Sequence, residues 1–412
     1  MNRGARITDL EDAIGRVVAE GNCSGCGACA SVLPGVKMGM EDGFLRPHVT
    51  GSAQSPSAAR ARDRELFEGI CPGVSLRAPA RRQSGSLRHP VFGRYEQAWQ
   101  GSAVDPAIRR AGSSGGVLTA LSQWLIDTGQ VHRVLGAAMD PVHPTRTVPL
   151  FLTTRELALA SAGSRYAPVS VAACPVNGSV EAVVGKPCEV AALRTLHRET
   201  DSETPVLLSF FCAGTPSQTA TDDLVSELGH NVSSVTSLRY RGEGWPGEFV
   251  VESDRGRSTM SYDQSWGAHL GRRIQDRCKI CVDGTGEFAD IAVGDFWEAD
   301  DRGFPVFADA PGNSVVIART ERGRDLLVRA EREGVVDLHP VDLDVVLRVQ
   351  PLQRARRTTV AARLIGRRLA GFAVPRYRGF GLWRSLVRHP LMSVKAARGT
   401  RWRSLRQRRA GS

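Results

Sequence analysis

Three cysteines at two-residue intervals sit in the loop Asn22-Cys23-Ser24-Gly25-Cys26-Gly27-Ala28-Cys29-Ala30. No other stretch limits the fold of this 412-residue chain as much. The spacers are Ser, Gly and Ala, which leave room for a bulky inorganic body and let backbone N–H groups point at sulfur. Iron–sulfur clusters ask for both, because thiolates hold the irons and amide hydrogen bonds tune the potential. A four-iron cluster also needs a fourth thiolate. In the bacterial ferredoxin run C-x2-C-x2-C-x3-C-P the fourth Cys serves another cluster. Here that position is Leu33, followed by Pro34. The run is half of a ferredoxin pattern, and a distant Cys-Pro is expected to complete it. Cys71-Pro72 is assigned that part, giving a 4Fe–4S set of Cys23, Cys26, Cys29 and Cys71. Zinc ribbons pair C-x2-C blocks and do not run three cysteines together, so iron–sulfur is preferred to a zinc knuckle.

The composition, 42% hydrophobic and 24% charged, is that of a globular chain with room for two or three domains. It has no run of eighteen apolar residues, so no transmembrane helix is expected. Residues 1–10 lack the apolar core of a signal peptide. A cytoplasmic, reducing location follows as an expectation, and there nine cysteines serve as metal ligands rather than disulfides. The net charge of +11 is unevenly placed. From Pro351 onward there are 17 Lys and Arg and no Asp or Glu, whereas the rest holds 37 basic and 43 acidic residues, a net of −6. A mildly acidic body argues against a nucleic-acid-binding core.

Periodicity predicts a helix from Ile7 to Glu20, with Leu10, Ile14, Val17 and Val18 on one face. A hairpin is expected over Gly35–Val49 around Glu41-Asp42-Gly43, then a loop over Gly51–Arg64. Ala78–His89 reads as a linker. Next, Gly112-Ser113-Ser114-Gly115-Gly116 opens an apolar helix beginning at Val117. Unpaired N–H groups at a helix start attract anions. By itself this loop is either a cradle for a nucleotide pyrophosphate or an ordinary glycine-rich cap. Strands and helices then alternate. Strands are expected at Val131–Met139, Val148–Leu152, Glu181–Gly185, Pro205–Phe211, Ala289–Trp297 and Asn313–Arg319. Helices fall between them at Glu156–Ala162, Val190–His197 and Ser217–Leu228, and after them at Arg322–Glu331. This is an α/β pattern with a largely buried sheet.

Two strands run into cysteines, Cys188 and Cys212, at the ends where open α/β sheets bind ligands. Free cysteines are also common as small core residues. The pair Cys278-Lys279-Ile280-Cys281 favours the other reading, in which Cys188, Cys212, Cys278 and Cys281 hold a second cluster. Cys174 is left over as a structural residue.

Several stretches stand out in order along the chain: Cys-Ser-Gly-Cys-Gly-Ala-Cys at 23–29, Gly-Ser-Ser-Gly-Gly-Val at 112–117, Gly-Ser-Arg-Tyr at 163–166 and Val-Gly-Lys-Pro-Cys-Glu at 184–189. Further on come Phe-Phe-Cys-Ala-Gly-Thr-Pro-Ser at 210–217, Tyr-Arg-Gly-Glu-Gly-Trp-Pro-Gly at 240–247 and Ala-Asp-Ile-Ala-Val-Gly-Asp-Phe-Trp at 289–297. Together they resemble the beta subunits of coenzyme F420 hydrogenases and dehydrogenases, a family that includes 7-hydroxymethyl chlorophyll a reductase. The resemblance implies FAD as the central cofactor, wired by two 4Fe–4S clusters. It assigns Ser113, Ser114, Gly115 and Gly116 to the flavin pyrophosphate. Ser164 and Tyr166 are placed beside the flavin, and the Cys188 strand end is brought towards the ring. Arg165, Lys186 and Glu189 stand where the family has Lys, Thr and Gln. A lysine beside a flavin can stabilise the anionic reduced ring, so Lys186 is the candidate catalytic residue.

The architecture expected is α/β in three parts. These are a small N-terminal ferredoxin-like cluster domain over 1–85, a mixed-sheet FAD-binding domain with the second cluster over 90–345, and a basic helical tail over 346–412. The implied activity passes electrons between a ferredoxin-like or other redox partner protein, the clusters and FAD, with hydride exchange to a small-molecule substrate. Coenzyme F420 is that substrate by resemblance. The alternatives are ferredoxin-dependent reduction of another organic substrate and a non-catalytic wiring subunit. The tail mixes Arg with Trp383, Leu386 and Leu391, which suits either a membrane surface or partner, with peripheral contact at the inner face of the membrane, or packing on the body. Arg401–Arg409 is expected to be disordered.

Overall fold

Four parallel strands form the centre of the computed structural model, which describes residues 9–50, 57–80, 86–176, 178, 181–300, 306 and 311–410. In chain order the helices used below are α1 (Leu10–Ala19), α2 (Ser57–Ile70), α3 (Val117–Asp127), α4 (Pro187–Glu199) and α5 (Gln218–Glu227). They continue as α6 (Glu321–Arg332), α7 (Pro351–Leu369), α8 (Leu382–Arg388) and α9 (Pro390–Ala410). The strands are β1 (Val36–Glu41), β2 (Phe44–Val49), β3 (Gln97–Ala103), β4 (Arg133–Met139) and β5 (Thr147–Leu152). After them come β6 (Glu181–Gly185), β7 (Val206–Phe210), β8 (Ile291–Asp295), β9 (Ser314–Ala318) and β10 (Val336–Pro340). The main sheet runs β10-β3-β9-β8-β7-β6-β4-β5. Its middle, β8-β7-β6-β4, is parallel, and both flanks are antiparallel.

Successive strand residues point to opposite faces. Val134, Ala182, Leu208 and Val316 join one core with Leu121, Trp124 and Leu125 of α3 and Leu326 and Leu327 of α6. Their neighbours Leu135, Val183 and Leu207 join the other core, with Val190 and Leu193 of α4 and Val360 and Leu364 of α7. A sheet covered on both faces explains why its central strands read as near-continuous apolar runs.

At the N-terminus α1 and α2 pack on the hairpin β1-β2 through Leu10, Ile14, Val36 and Phe67. Asp42 and Gly43 make its two-residue turn, both with positive φ (49° and 77°), as a type I′ hairpin requires. The C-terminal segment closes over this unit. Residues Arg376–Arg378 pair in parallel with Ser75–Arg77. The Asn22 amide donates to the Ala373 carbonyl at 3.0 Å, and the Ala373 N–H donates to Glu20 at 2.7 Å.

Three expectations change, and one element is new. Helix α2 begins at Ser57, inside the stretch read as a loop, because Leu66, Phe67 and Ile70 give its far end a buried face; residues 51–56 lie outside the described residues. Within the expected linker, Leu87–His89 is a strand paired with Gly93–Tyr95, and 81–85 lie outside the described residues. Arg401–Arg409 is helical as part of α9. Finally, a three-stranded antiparallel sheet over Val235–Ser261 was not anticipated.

Candidate functional site

Cys23, Cys26, Cys29 and Cys71 line one small cavity between α1, α2 and the hairpin, with Ile14, Phe67 and Ile70 around them. Gly25 N–H donates to Cys23 Sγ at 3.4 Å, and the amides of Ala28, Ala30, Gly73 and Val74 serve the other three sulfurs. Gly27 takes a left-handed backbone, and a Cβ there would meet Ala173 at 2.7 Å, so the loop can lie flat against the body only with glycine. Cys174-Pro175 is a second Cys-Pro pair in the chain, but Cys71 is the one at this cavity.

In the second set, Cys212 lies close enough to Cys278 and Cys281 for their charges to interact. Cys188 lies close enough to Cys212, and to Cys26 of the first set, for their charges to interact. Thr215 N–H donates to Cys278 Sγ at 3.4 Å. All nine cysteines are free thiols. Burial, with repulsion from neighbouring thiolates, pushes Cys71 and Cys212 up to about 12 and Cys29 and Cys188 well above the usual thiol value. Thiols held protonated are poor nucleophiles. Grouped buried thiols fit a cationic body that offsets their desolvation. Among the described residues no three His, Cys, Asp or Glu side chains converge on a single metal ion. One zinc with bonds of about 2.3 Å would draw its sulfurs to within about 4 Å of each other. The four sulfurs of the first set instead line one cavity.

The two sets are joined by hydrogen bonds. Gln275 donates to the Ser24 carbonyl at 2.9 Å, its N–H donates to the Thr215 carbonyl at 3.0 Å, and Ser170 Oγ donates to the Gly25 carbonyl at 2.8 Å. Arg277 is buried between the sets. Its Nη2 donates to the Pro72 carbonyl at 3.1 Å, and its Nε and Nη1 have no hydrogen-bond partner among the described residues.

A second cavity, of about 690 Å³, opens at the carboxyl ends of β6, β7 and β8. That is the ligand position of open α/β sheets, and the volume is that of a cofactor pocket. Ser113, Ser114, Gly116, Ser164, Tyr166, Lys186 and Cys212 all line it; Gly115 and Cys188 do not. Gly115 N–H instead donates to Ser314 Oγ at 3.0 Å, which pins the loop. Ser113 and Ser164 hydroxyls meet at 2.7 Å, and Ser114 and Ser314 at 2.8 Å. Gly116, the N-cap of α3, has φ 73° and offers no side-chain cap. A Cβ at Gly116 would come 2.8 Å from the Ile108 carbonyl. The first turn of α3 therefore presents bare N–H groups on the cavity wall.

Arg241 faces the same cavity, carried there by the loop between the first two strands of the small sheet. Its Nη1 pairs with Asp295 at 2.7 Å, its Nε donates to the Pro246 carbonyl at 2.8 Å, and Nη2 is buried without a partner among the described residues. Trp245 and Tyr262 rings flank the guanidinium at 4.6 Å each. Burial opposes its charge, but Asp295 and the Tyr166 and Tyr262 phenols more than offset this, holding the guanidinium protonated. Arg241 was not singled out from the sequence; its signal was the stretch Tyr-Arg-Gly-Glu-Gly-Trp-Pro-Gly. Bare helix N–H groups, an orphaned buried Arg N–H and walls of Tyr166, Phe211, Tyr262 and Trp266 fit a large planar ligand carrying phosphates.

Lys186 and Arg165 are both engaged. Lys186 Nζ donates to Glu189 at 2.7 Å and to the Val169 carbonyl at 2.8 Å. Burial disfavours the ammonium, and Glu189, Cys188 and Cys212 outweigh it. Arg165 binds Thr147 Oγ1 and the carbonyls of Leu238 and Arg146, so its charge is spent on the backbone. Arg356 and Gln353 of α7 donate to the Cys212 carbonyl, which brings the C-terminal segment into the site.

Two models of one family match this chain: the N-terminal part of the coenzyme F420 hydrogenase/dehydrogenase beta subunit over residues 98–174, and its C-terminal part over 180–344. F420-dependent formate dehydrogenase 1 subunit beta of Methanococcus maripaludis is 27% identical over 260 residues, covering 60% of this chain and 63% of that protein. Coenzyme F420-dependent sulfite reductase of Methanocaldococcus jannaschii is 24% identical over 350 residues, covering 80% of this chain and 49% of that protein. The chain thus spans less than two thirds of either relative. A chain of the F420-reducing NiFe hydrogenase complex of Methanosarcina barkeri, in a xenon-derivatised structure, shares the fold at 21% identity and a TM-score of 0.53, covering 71% of this chain and 98% of that one. With both halves of the family pattern present in order around the cavity just described, the chain belongs to the coenzyme F420 hydrogenase/dehydrogenase beta subunit family.

Proposed function

We propose that this chain is an iron–sulfur flavoprotein oxidoreductase. It moves electrons between a one-electron carrier protein and a two-electron substrate through two 4Fe–4S clusters and FAD. The observation that carries the reading is continuity. Cys188 is near enough to both Cys26 and Cys212 for their charges to interact, and Cys212 is itself on the wall of the 690 Å³ cavity. Neighbouring thiols thus link the first set to the second, and the second to the cavity.

Cys23, Cys26, Cys29 and Cys71 hold the outer cluster; Cys188, Cys212, Cys278 and Cys281 hold the inner one. The bare amides of α3, the Ser113–Gly116 loop and Arg241 bind the pyrophosphate, with Ser164 and Tyr166 beside it. Flavin, when bound, supplies hydride exchange on one side and single-electron release on the other. Lys186 keeps one of its three N–H donors without a partner among the described residues. That donor is the chain's candidate for stabilising negative charge in the cavity. Glu189 fixes its position and also caps α4 through the Lys186 N–H at 2.8 Å. The named F420 dependence of both relatives supports coenzyme F420 as the two-electron partner.

The test is anaerobic purification with iron, sulfide and flavin analysis, followed by mixing reduced protein with oxidised F420. About eight irons and one flavin per chain are expected, with F420 absorbance bleached on mixing. Full cofactor loading without bleaching would reject F420 as substrate. An iron-free protein would reject the whole reading.

A further inference from the structure

Helix α9 is inverted. With 3.6 residues per turn, Ser393, Ala397, Thr400 and Ser404 fall on one side, and Leu391, Val394, Trp402 and Leu405 on the other. The small, mostly polar side is the one turned inward: Ser393, Thr400 and Ser404 are buried. A Cβ on Gly366 of α7 would come 2.2 Å from the Ala397 carbonyl, so the two helices lie backbone to backbone. The large apolar side faces out, with Leu391 87%, Val394 55% and Trp402 55% exposed. Helix α8 adds Trp383 and Val387, one turn apart, at 71% and 76% exposure. Lys395, Arg401 and Arg406 flank this strip and Arg398 falls within it, and the Arg406 guanidinium lies 3.7 Å over the Trp402 ring. A surface helix ordinarily buries such residues and shows its small polar ones. The strip lies past the segment shared with the family.

We infer that α8 and α9 form a docking surface for an anionic lipid bilayer. The charge decides the occupant. From Leu382 onward there are nine basic residues and no acidic one, so the charges these two helices carry have one sign and match a plane of uniform negative charge. The apolar residues are exposed on the helix surface, Leu391 and Val387 most of all. Such a row can sink into the boundary between headgroups and acyl chains, with its cations at the phosphates. Trp383 and Trp402 are suited to that depth. Among the described residues no helix is long and apolar enough to cross a membrane, so the contact is peripheral. This inference does not depend on the redox reading.

Co-sedimentation of the full chain with phosphatidylcholine vesicles, with and without phosphatidylglycerol, tests it. Binding to the anionic vesicles is expected to be at least about tenfold tighter, and to fade as salt is raised. The triple variant Trp383→Ser, Leu391→Ser, Trp402→Ser should bind at least about tenfold more weakly. These side chains are exposed, so its thermal melt should match wild type; if it does not, Lys395→Gln with Arg398→Gln replaces it and should also weaken binding. Equal binding to neutral vesicles, or none to anionic ones, overturns the inference. So does self-association, or capture of an acidic protein, that needs these tryptophans while vesicles stay unbound.

Discussion

Arg241 and Asp295 form an ion pair at 2.7 Å on the wall of the large cavity, 54 positions apart in the chain. The pair leaves the Arg241 Nη2 group without a partner among the described residues and able to meet a ligand. Removing one partner of a buried pair strands the other, at a cost of about 3–5 kcal/mol. Arg241→Gln should therefore lower the melting temperature and abolish flavin binding. Arg241→Gln with Asp295→Asn should recover much of the stability and none of the flavin affinity. Fluorescence titration with FAD beside thermal melts separates the two effects; flavin retained at wild-type affinity in the double variant would remove Arg241 from the site.

That pair shows where the sequence is informative and where it is silent. Strands β6, β7 and β9 are short apolar runs bounded by turn residues, because both of their faces are covered, and they are legible as written. Strand β3, with Gln97, Gln100, Gly101 and Ser102, and strand β10, with Asp337 and His339, belong to an antiparallel flank with weaker patterning. Only pairing with their neighbours reveals them. The cysteine spacing exposes the first thiol set through local geometry. Arg241 is invisible locally, since the carboxylate that lets it be buried comes from another strand. Likewise the end of α9, Arg401–Arg409, reads as disordered because its charge density hides the packing that orders the helix, Ala397 against Gly366 of α7 and a buried Ser404.

Cys71 and Cys281 test the two thiol sets separately. Cys71→Ala should remove about four of about eight irons and leave the other cluster spectrum. Cys281→Ala should do the same for the inner set while flavin stays bound. Iron content with electron paramagnetic resonance reads both. Loss of every iron from either single variant would mean that the thiols act as one site.

Arg277 places a buried positive charge between the sets, with Cys281, Cys188 and Cys278 all close enough to interact with it. A nearby cation favours the more negative, reduced form of a cluster. Arg277→Met should shift at least one midpoint potential to a more negative value. At an effective dielectric of about 20, the loss is on the order of 1 kcal/mol, or about 40 mV for one electron. Arg277→Lys should recover part of it. Redox titration monitored by resonance measures the shift, and unchanged potentials in the Met variant would leave Arg277 a purely structural role.

Asp290 predicts how the fold responds to acid. Its carboxylate is fully buried next to β8 and accepts from Leu207 N–H at 2.9 Å, Thr320 Oγ1 at 2.7 Å and Arg322 Nη2 at 2.5 Å, with Arg194 Nη2 3.0 Å away. Burial alone would raise its pKa, but Arg194 and Arg322 outweigh that and hold it below the ordinary value. A carboxylate depressed in the folded state contributes stability that is complete above its unfolded pKa of about 3.9, and that contribution is lost as pH falls through the folded value. Wild-type melting temperature should therefore fall steeply below about pH 4. Asp290→Asn should lose about 3–5 kcal/mol at neutral pH, because two arginines lose their counter-charge. It should also show a shallower acid limb, because the neutral amide has no proton to gain. Thermal melts of both proteins from neutral to acid pH check this, and parallel curves for the two would show that Asp290 is not the group that titrates.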